Sequence, residues 1–300
     1  MTEPIQHGWR TPVVRAIRMI NVAITVWGYT LLTPIGWLGF AVLCTAWRGD
    51  PLRRARRLQA IQVRAYRFMH DWLRWCRITH FDHRWPIPGL PTGPCVVIAN
   101  HPTLMDITAV TAVFGGGCTV VKPSLFHQRL MHRQLAASGH IEGPGRDPIS
   151  AGRVVEEMAE RLRQGFRAII FPEGTRSPSG ELGRFGRLAF EIACRAEVPL
   201  VSLAITCEPV YLSKGVPLFR PPHPTAQLRI ELLAVDDPKE FASGSRALRS
   251  HVESRYRAWL SNLAPAPGRP YSAAQKEREW QNSSRTRSST SSSTPWPSKM

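Results

Sequence analysis

The chain is short of acidic residues. Against 39 Lys and Arg it sets only 22 Asp and Glu, a formal charge of +17. Such a surplus calls for a polyanionic partner, either nucleic acid or an anionic membrane surface. Paired thiols are also missing. The six cysteines are Cys44, Cys76, Cys95, Cys118, Cys194 and Cys207, and no two stand as Cys-x-x-Cys. In 300 residues, cysteines scattered this way make neither a disulfide scaffold nor a zinc site. They read as small hydrophobes of a reduced protein. There is no Gly-x-Ser-x-Gly elbow, so a serine acyl-enzyme is not indicated. There is no Gly-x-x-x-x-Gly-Lys loop and no Gly-x-Gly-x-x-Gly, so a bound nucleotide cofactor has no support. His80, His83, His127, His132 and His140 lack a convincing ligand set, and no metal is expected.

One stretch has no charge at all. From Met19 to Trp47 there is no Asp, Glu, Lys, Arg or His, which is longer than the ~20 residues a spanning helix needs. It is too long for a signal-peptide core, and no cleavage site comes after it. Pro34 and Gly36 interrupt it, and a proline there breaks or kinks a helix. Two layouts remain: a single kinked, tilted span, or a helical hairpin held in one leaflet. Arg10, Arg15 and Arg18 precede the run; Arg48, Arg53, Arg54, Arg56 and Arg57 come after it. Basic residues mark cytoplasmic flanks, and basic flanks on both sides favour the hairpin. Residues 1–50 are therefore expected to form a membrane anchor, with the rest of the chain on the cytoplasmic face of the inner membrane.

A basic amphipathic helix is expected next, within residues 51–84. Leu58, Ile61, Ala65, Phe68, Trp72 and Cys76 recur at three- and four-residue steps, while Arg53, Arg57, Arg64, Arg67 and Arg74 point elsewhere. Beside a membrane segment this pattern suits a surface-lying helix that meets anionic lipid headgroups; it suits equally a helix packed on the domain with a solvated basic face. Its aromatics repeat with helical period, which argues against a stacking platform for nucleic acid.

From Pro94 onward short Val- and Ile-rich runs alternate with helical stretches. The runs are Cys95–Ala99, Cys118–Val121, Ala168–Phe171, Leu200–Ile205 and Leu228–Leu233. The helical stretches are Asp106–Phe114, Phe126–Ala137, Ser150–Arg163 and Gly186–Arg195, with a last amphipathic one from Ser245 to Leu263. This alternation implies an α/β domain over residues 85–263, with a mostly parallel sheet flanked by helices. Beyond Ala264, prolines lead into Ser- and Thr-rich low complexity, and residues 264–300 are expected to be a disordered tail.

Two constellations carry chemistry. Asn100-His101-Pro102-Thr103-Leu104-Met105-Asp106 leaves a predicted strand and opens a predicted helix. A His at a strand end stands at the open edge of the sheet, where α/β sites lie. An Asp five residues on, in the first helical turn, can return to the ring, set its tautomer and stabilise the imidazolium. The second is Pro172-Glu173-Gly174-Thr175-Arg176-Ser177, directly after Ala168–Phe171. Arg176 offers a forked donor to phosphate or carboxylate. Gly174 lets backbone amides approach an anion, and Thr175 adds a hydroxyl. Glu173 can position Arg176 or accept a substrate hydroxyl.

His101-x4-Asp106 together with the later Phe171-Pro172-Glu173-Gly174-Thr175-Arg176-Ser177 resembles the lysophospholipid and glycerolipid acyltransferase family. Val198-Pro199-Leu200-Val201-Ser202-Leu203 is similar to the family's Pro-containing strand, and the likeness runs from about Pro94 to Ile205. The resemblance implies an O-acyltransferase with His101 as base and Asp106 as its orienting partner. Glu173, Gly174, Thr175 and Arg176 would hold a lysophospholipid acceptor such as 1-acylglycerol-3-phosphate. The co-substrate would be acyl-CoA or acyl carrier protein, with no bound cofactor and no nucleic acid. Two departures touch the phosphate-binding positions. The family's second block ends in an acidic residue and Arg; here Arg146, displaced in the loop, is the counterpart. Where the family carries Phe-Lys-x-Gly, this chain has Phe185-Gly186-Arg187-Leu188, leaving Arg184 or Arg187 to substitute. Acceptors other than a glycerophosphate, such as a glycolipid, an aminolipid or a secondary-metabolite lipid, therefore stay open. From another class, the +17 charge also fits a non-catalytic protein that binds anionic membranes.

Overall fold

The computed structural model describes residues 16–17, 19–25, 38–40, 42–43, 49–82, 87–129, 131–145, 147–177, 181–213, 222 and 224–263. Residues 1–257 form one compact unit; the second, from Ala258, is described only through the end of its helix. Helix α1 (Pro51–Trp75) starts where the Asp50 carboxylate accepts the amides of Leu52 and Arg53, both at 3.2 Å, with Pro51 at the first helical position. It stops well short of residue 84. Arg77 takes a left-handed φ of 54°, the amide of Ile78 returns to the carbonyl of Leu73, and the chain enters strand β1 (Thr79–His80). Ile78 and Phe81 are buried in the main core, so the segment after α1 belongs to the α/β body.

The remaining elements alternate as expected: β2 (Val96–Ala99), α2 (Asp106–Phe114), β3 (Cys118–Val121), α3 (Pro123–Phe126), α4 (His132–Ala137), β4 (Ile141–Glu142), α5 (Pro148–Arg163), β5 (Ala168–Ile170), α6 (Leu188–Ala196), β6 (Leu200–Glu208), β7 (Ala226–Asp236) and α7 (Gly244–Asn262). The helix expected over Phe126–Ala137 is two short ones. Pro123 starts α3 early, and its terminal carbonyl, that of Phe126, lies 3.2 Å from Nδ1 of His132, the first residue of α4. Strands β1 and β4 are two residues long, too short to give an alternating pattern, and were not legible from the sequence.

The seven strands lie in the order β1-β7-β6-β2-β5-β3-β4. Every neighbouring pair is parallel except β6 with β7, which is antiparallel. Strands β2 and β5 are buried along their whole length and read as continuous apolar runs, the mark of central strands covered on both faces. Because β6, β2, β5, β3 and β4 run the same way, their C-terminal ends form one edge. One face of the sheet carries α1 and α2 over a core that includes Leu73, Cys76, Val97, Ala109, Val110 and Leu203.

The charge-free run lies mostly outside the described residues. Within it, residues 19–25 are helical; Asn21 Nδ2 donates to the carbonyl of Cys76 at 2.9 Å, and Val22 joins the core. Ile20 and Ile24 are exposed. Among the described residues no helix is long and apolar enough to cross a membrane. Residues 264–300 also lie outside the described part.

One core side chain allows a direct check of this packing. Phe190, on α6, is fully buried and stacks on Phe185 at 6.4 Å between centroids. Phe190→Ala is expected to cost about 3–5 kcal/mol, read as a lowered denaturant midpoint.

Candidate active site

Asn100 is where β2 leaves the sheet without letting go of it. Its side chain accepts the amide of Ile205 at 2.7 Å and donates to that residue's carbonyl at 2.9 Å. An amide side chain thus replaces one rung of the β2–β6 ladder, and the backbone is released to turn at His101. The imidazole then lies flat on Phe171, the residue after β5, with centroids 4.2 Å apart and planes 21° apart.

Asp106 opens α2 and is fully buried. Its Oδ2 lies 2.8 Å from His101 Nδ1 and also accepts the Thr103 amide at 2.7 Å; its Oδ1 accepts the Thr103 hydroxyl at 2.7 Å. Burial pushes this carboxyl up from its ordinary range, and the His101 and Thr103 hydrogen bonds oppose that push. A carboxylate against Nδ1 makes that nitrogen the donor. The proton acceptor of the ring is then Nε2. The His101 side chain keeps 18% of its surface exposed while Asp106 has none. The pair is therefore an imidazole with an exposed tip and a fully buried carboxyl partner.

The second constellation reaches the same place from β5. Gly174 sits in the turn at φ 66°, left-handed backbone that favours glycine, and its amide bonds the carbonyl of Phe171. This turn brings Glu173 under His101. Glu173 Oε1 accepts the His101 amide at 3.0 Å; Oε2 accepts the Gly183 amide at 2.6 Å and the Ser177 hydroxyl. The Ser177 amide in turn donates to the His101 carbonyl at 2.9 Å. Glu173 is thus a clamp between the two strand ends. It does not pair with Arg176, whose Nη1 instead donates to the carbonyl of Leu212 at 3.0 Å, the same carbonyl that accepts the Leu104 amide. Gly174 and Thr175 are exposed beside it, and Arg176 is half-buried.

Arg187 stands at the start of α6, next to Gly186, whose amide bonds the carbonyl of Pro172 at 2.7 Å. Its guanidinium is drawn to Glu191 at 2.7 Å, along its own helix. Arg146 lies outside the described residues. Sequence reasoning passed over Thr103, Phe171, Gly183 and Asn100 as members of the site. Thr103 and Asn100 flank the histidine and could have been suspected as polar neighbours. Nothing local marks Gly183, whose distinction is that a Cβ there would stand 2.8 Å from Glu173 Oε2. A separate cavity of about 410 Å³, lined by Phe81, Ile87, Val113, Leu228 and Ile230 among others, shares no residue with this site. Among the described residues no group of three or more His, Cys, Asp or Glu could hold a metal.

Residues 84–206, which hold both constellations, match the family model described as Acyltransferase. The chain is 30% identical over 121 residues to the chloroplastic 1-acyl-sn-glycerol-3-phosphate acyltransferase BAT2 of Brassica napus, covering 40% of this chain and 35% of that one. It is 30% identical over 164 residues to 1-acyl-sn-glycerol-3-phosphate acyltransferase alpha of Mus musculus, covering 52% of this chain and 57% of that one. It therefore spans less than two thirds of either relative. The crystal structure of the 1-acyl-sn-glycerophosphate acyltransferase of Thermotoga maritima superposes with a TM-score of 0.61 at 22% identity, over 83% of this chain and 99% of that one, a likeness of fold.

Two changes test the geometry directly. Asp106→Asn keeps an oxygen for Nδ1 and the Thr103 amide, turns its NH2 to the Thr103 hydroxyl, and removes the charge. The His101 Nδ1–H bond is expected to weaken, which an upfield shift of that ring proton in NMR would report. Gly183→Ala forces the Glu173 carboxylate aside. The expected cost is about 1–3 kcal/mol in unfolding free energy, with no loss from the same change at Gly152, where a Cβ meets nothing.

Proposed function

We propose, for a chain that belongs to the acyltransferase family through residues 84–206, that it is a membrane-bound O-acyltransferase. The reaction moves a fatty acyl group from acyl-CoA or acyl carrier protein to a hydroxyl of a lysophospholipid such as 1-acylglycerol-3-phosphate. The observation that carries this reading is the His101–Asp106 pair. Its Nε2 is left as acceptor at the open sheet edge while Nδ1 is committed to a buried carboxylate at 2.8 Å.

The chemistry rests on the donor. A thioester is already activated, so direct transfer needs no covalent enzyme intermediate. His101 Nε2 takes the proton of the acceptor hydroxyl as its oxygen attacks the thioester carbonyl. The C–S bond then breaks, and the ring returns the proton to the departing thiolate. Asp106 stays ionised and stabilises the imidazolium between these steps. Arg176, with Arg146 and Arg187, supplies positive charge for the acceptor headgroup. The relatives' printed names point to 1-acylglycerol-3-phosphate as that acceptor. One observation favours a second acceptor class, a lipid without a phosphomonoester: Arg187 is already engaged by Glu191.

Attachment to the cytoplasmic face of the inner membrane is part of the proposal. It is supported by the charge-free run from Met19 to Trp47. It is also supported by the outer stripe of α1, where exposed Arg53, Arg57 and Arg64 share a face with Phe68 and Trp75, 59% and 71% exposed.

The test is acyl transfer by the full chain in vesicles, with labelled acyl-CoA or acyl carrier protein and lysophosphatidate. His101→Ala is expected to lower kcat by about 10²–10⁴. Full transfer in that variant would remove His101 from the base role. No transfer from either donor to lysophosphatidate, a lysoglycolipid or an aminolipid would sink the reaction itself.

A further inference from the structure

Tyr256 stands on α7, fifty residues past the segment that matches the family model. It is the largest fully buried side chain of the molecule's described part. A buried phenol must find a hydrogen-bond partner, and this one finds two. Its hydroxyl lies 2.6 Å from the carbonyl of Leu203 and 3.2 Å from that of Ile98. Burial holds the phenol well above its ordinary pKa, so it acts here as a donor and carries no charge.

Both carbonyls belong to the frame of the site. Ile98 lies three residues before His101 on β2. Leu203 lies on β6 opposite Ala99, at the point where the β6–β7 register slips between Ser202 and Leu203. A slip of this kind disrupts the ladder locally, and the Tyr256 hydroxyl takes up the Leu203 carbonyl there. Two residues further along β6, Ile205 is held by Asn100. The ends of β2 and β6 are thus stitched twice before His101, once by an amide from within the sheet and once by a phenol from the helix behind it.

The same ring reaches the other arm of the site. Its edge meets Phe185 at 5.1 Å and 73°. Phe185 is fully buried and precedes Gly186, which bonds Pro172; Gly183, two residues before Phe185, donates to Glu173. Glu173 then accepts the amide of His101. The two arms that hold the His101 backbone, β2 and the β5 turn, therefore both rest on Tyr256. The helix that carries it is pinned beside it: Arg255 forks onto both oxygens of Asp236 at 2.7 and 2.8 Å, and Leu248 and Val252 line the same buried stripe.

We infer that Tyr256 is a positioning residue for His101, setting from the C-terminal helix the separation of β2, β6 and the Glu173 turn. A tyrosine that only filled the core would be replaced by phenylalanine without effect on His101. A tyrosine whose hydroxyl holds the strand ends would not.

The experiment uses full-chain Tyr256→Phe, which keeps the ring and removes the bond. Its kinetic half rests on the acyl-transfer reading. There, kcat is expected to fall about ten- to a hundred-fold, as a misplaced base does, with KM within about two-fold of wild type. Leu58→Val serves as control, a change at a fully buried residue of α1 outside this ring cluster. If Leu58→Val lowers kcat equally for an equal drop in Tm, or if Tyr256→Phe leaves kcat unchanged, the inference falls. The second half needs no turnover: the rate of ethoxyformylation of His101 by diethyl pyrocarbonate, read by peptide mass. Tyr256→Phe should change that rate several-fold and Leu58→Val should not. Equal rates in all three proteins would overturn the inference even where acyl transfer is absent.

Discussion

The carboxylate of Glu173 is bonded on both oxygens, and each oxygen reaches a backbone amide. One goes to the amide of His101, the first residue free of β2; the other goes to Gly183, in the loop that enters α6. Two parallel strands end side by side at this point, and a parallel pair supplies no hairpin to hold its ends together. The side chain does what a turn would do elsewhere. Without it, the His101 amide would lose its bond across to the β5 turn. With it, the backbone of His101 is held on both sides, since its carbonyl also accepts the Ser177 amide. A position this constrained lets one imidazole be aimed, which a base requires and a flexible loop cannot give.

The charge beside that imidazole is managed by burial and bonding. Asp106 carries no exposed surface, and a buried carboxylate is costly unless bonded. Thr103 meets this with two donors and His101 with a third. The arrangement is local, closed within six residues of chain, and it leaves a single group exposed: the far side of the imidazole. The donor and acceptor of the proposed reaction would both approach from there, at the edge where the other parallel strands also end.

The surface has its own division. The arginines of α1 either hold the fold or face out. Arg67 donates twice to the carbonyl of Ala112, and Arg56 lies over Phe166 while bonding the carbonyl of Gln164; Arg64 and Arg74 are exposed. Two readings of this helix, packed element or lipid-facing element, are thus compatible, since its opposite faces do different things. The helix ends at Trp75, and the residues after it leave for the sheet, because Ile78 and Phe81 carry enough apolar surface to be drawn into the core beside β7.

Features that depend on near neighbours could be read from the chain before it was folded. Strand–helix alternation rests on period and branching, so the α/β class and the largely parallel sheet were legible, with most boundaries shifted by one to three residues. The His101–Asp106 pair was legible because five residues of turn and first helical coil suffice to join them. Features that join residues far apart needed the folded molecule. Glu173 and His101 are separated by 72 positions, Arg176 and Leu212 by 36, and Tyr256 and Ile98 by 158. No local pattern could assign Glu173 to a backbone amide of His101 rather than to Arg176, or single out Gly183 as the place where a Cβ would push the Glu173 carboxylate aside. Those roles are set by which strands lie side by side, and strand order is a property of the whole sheet.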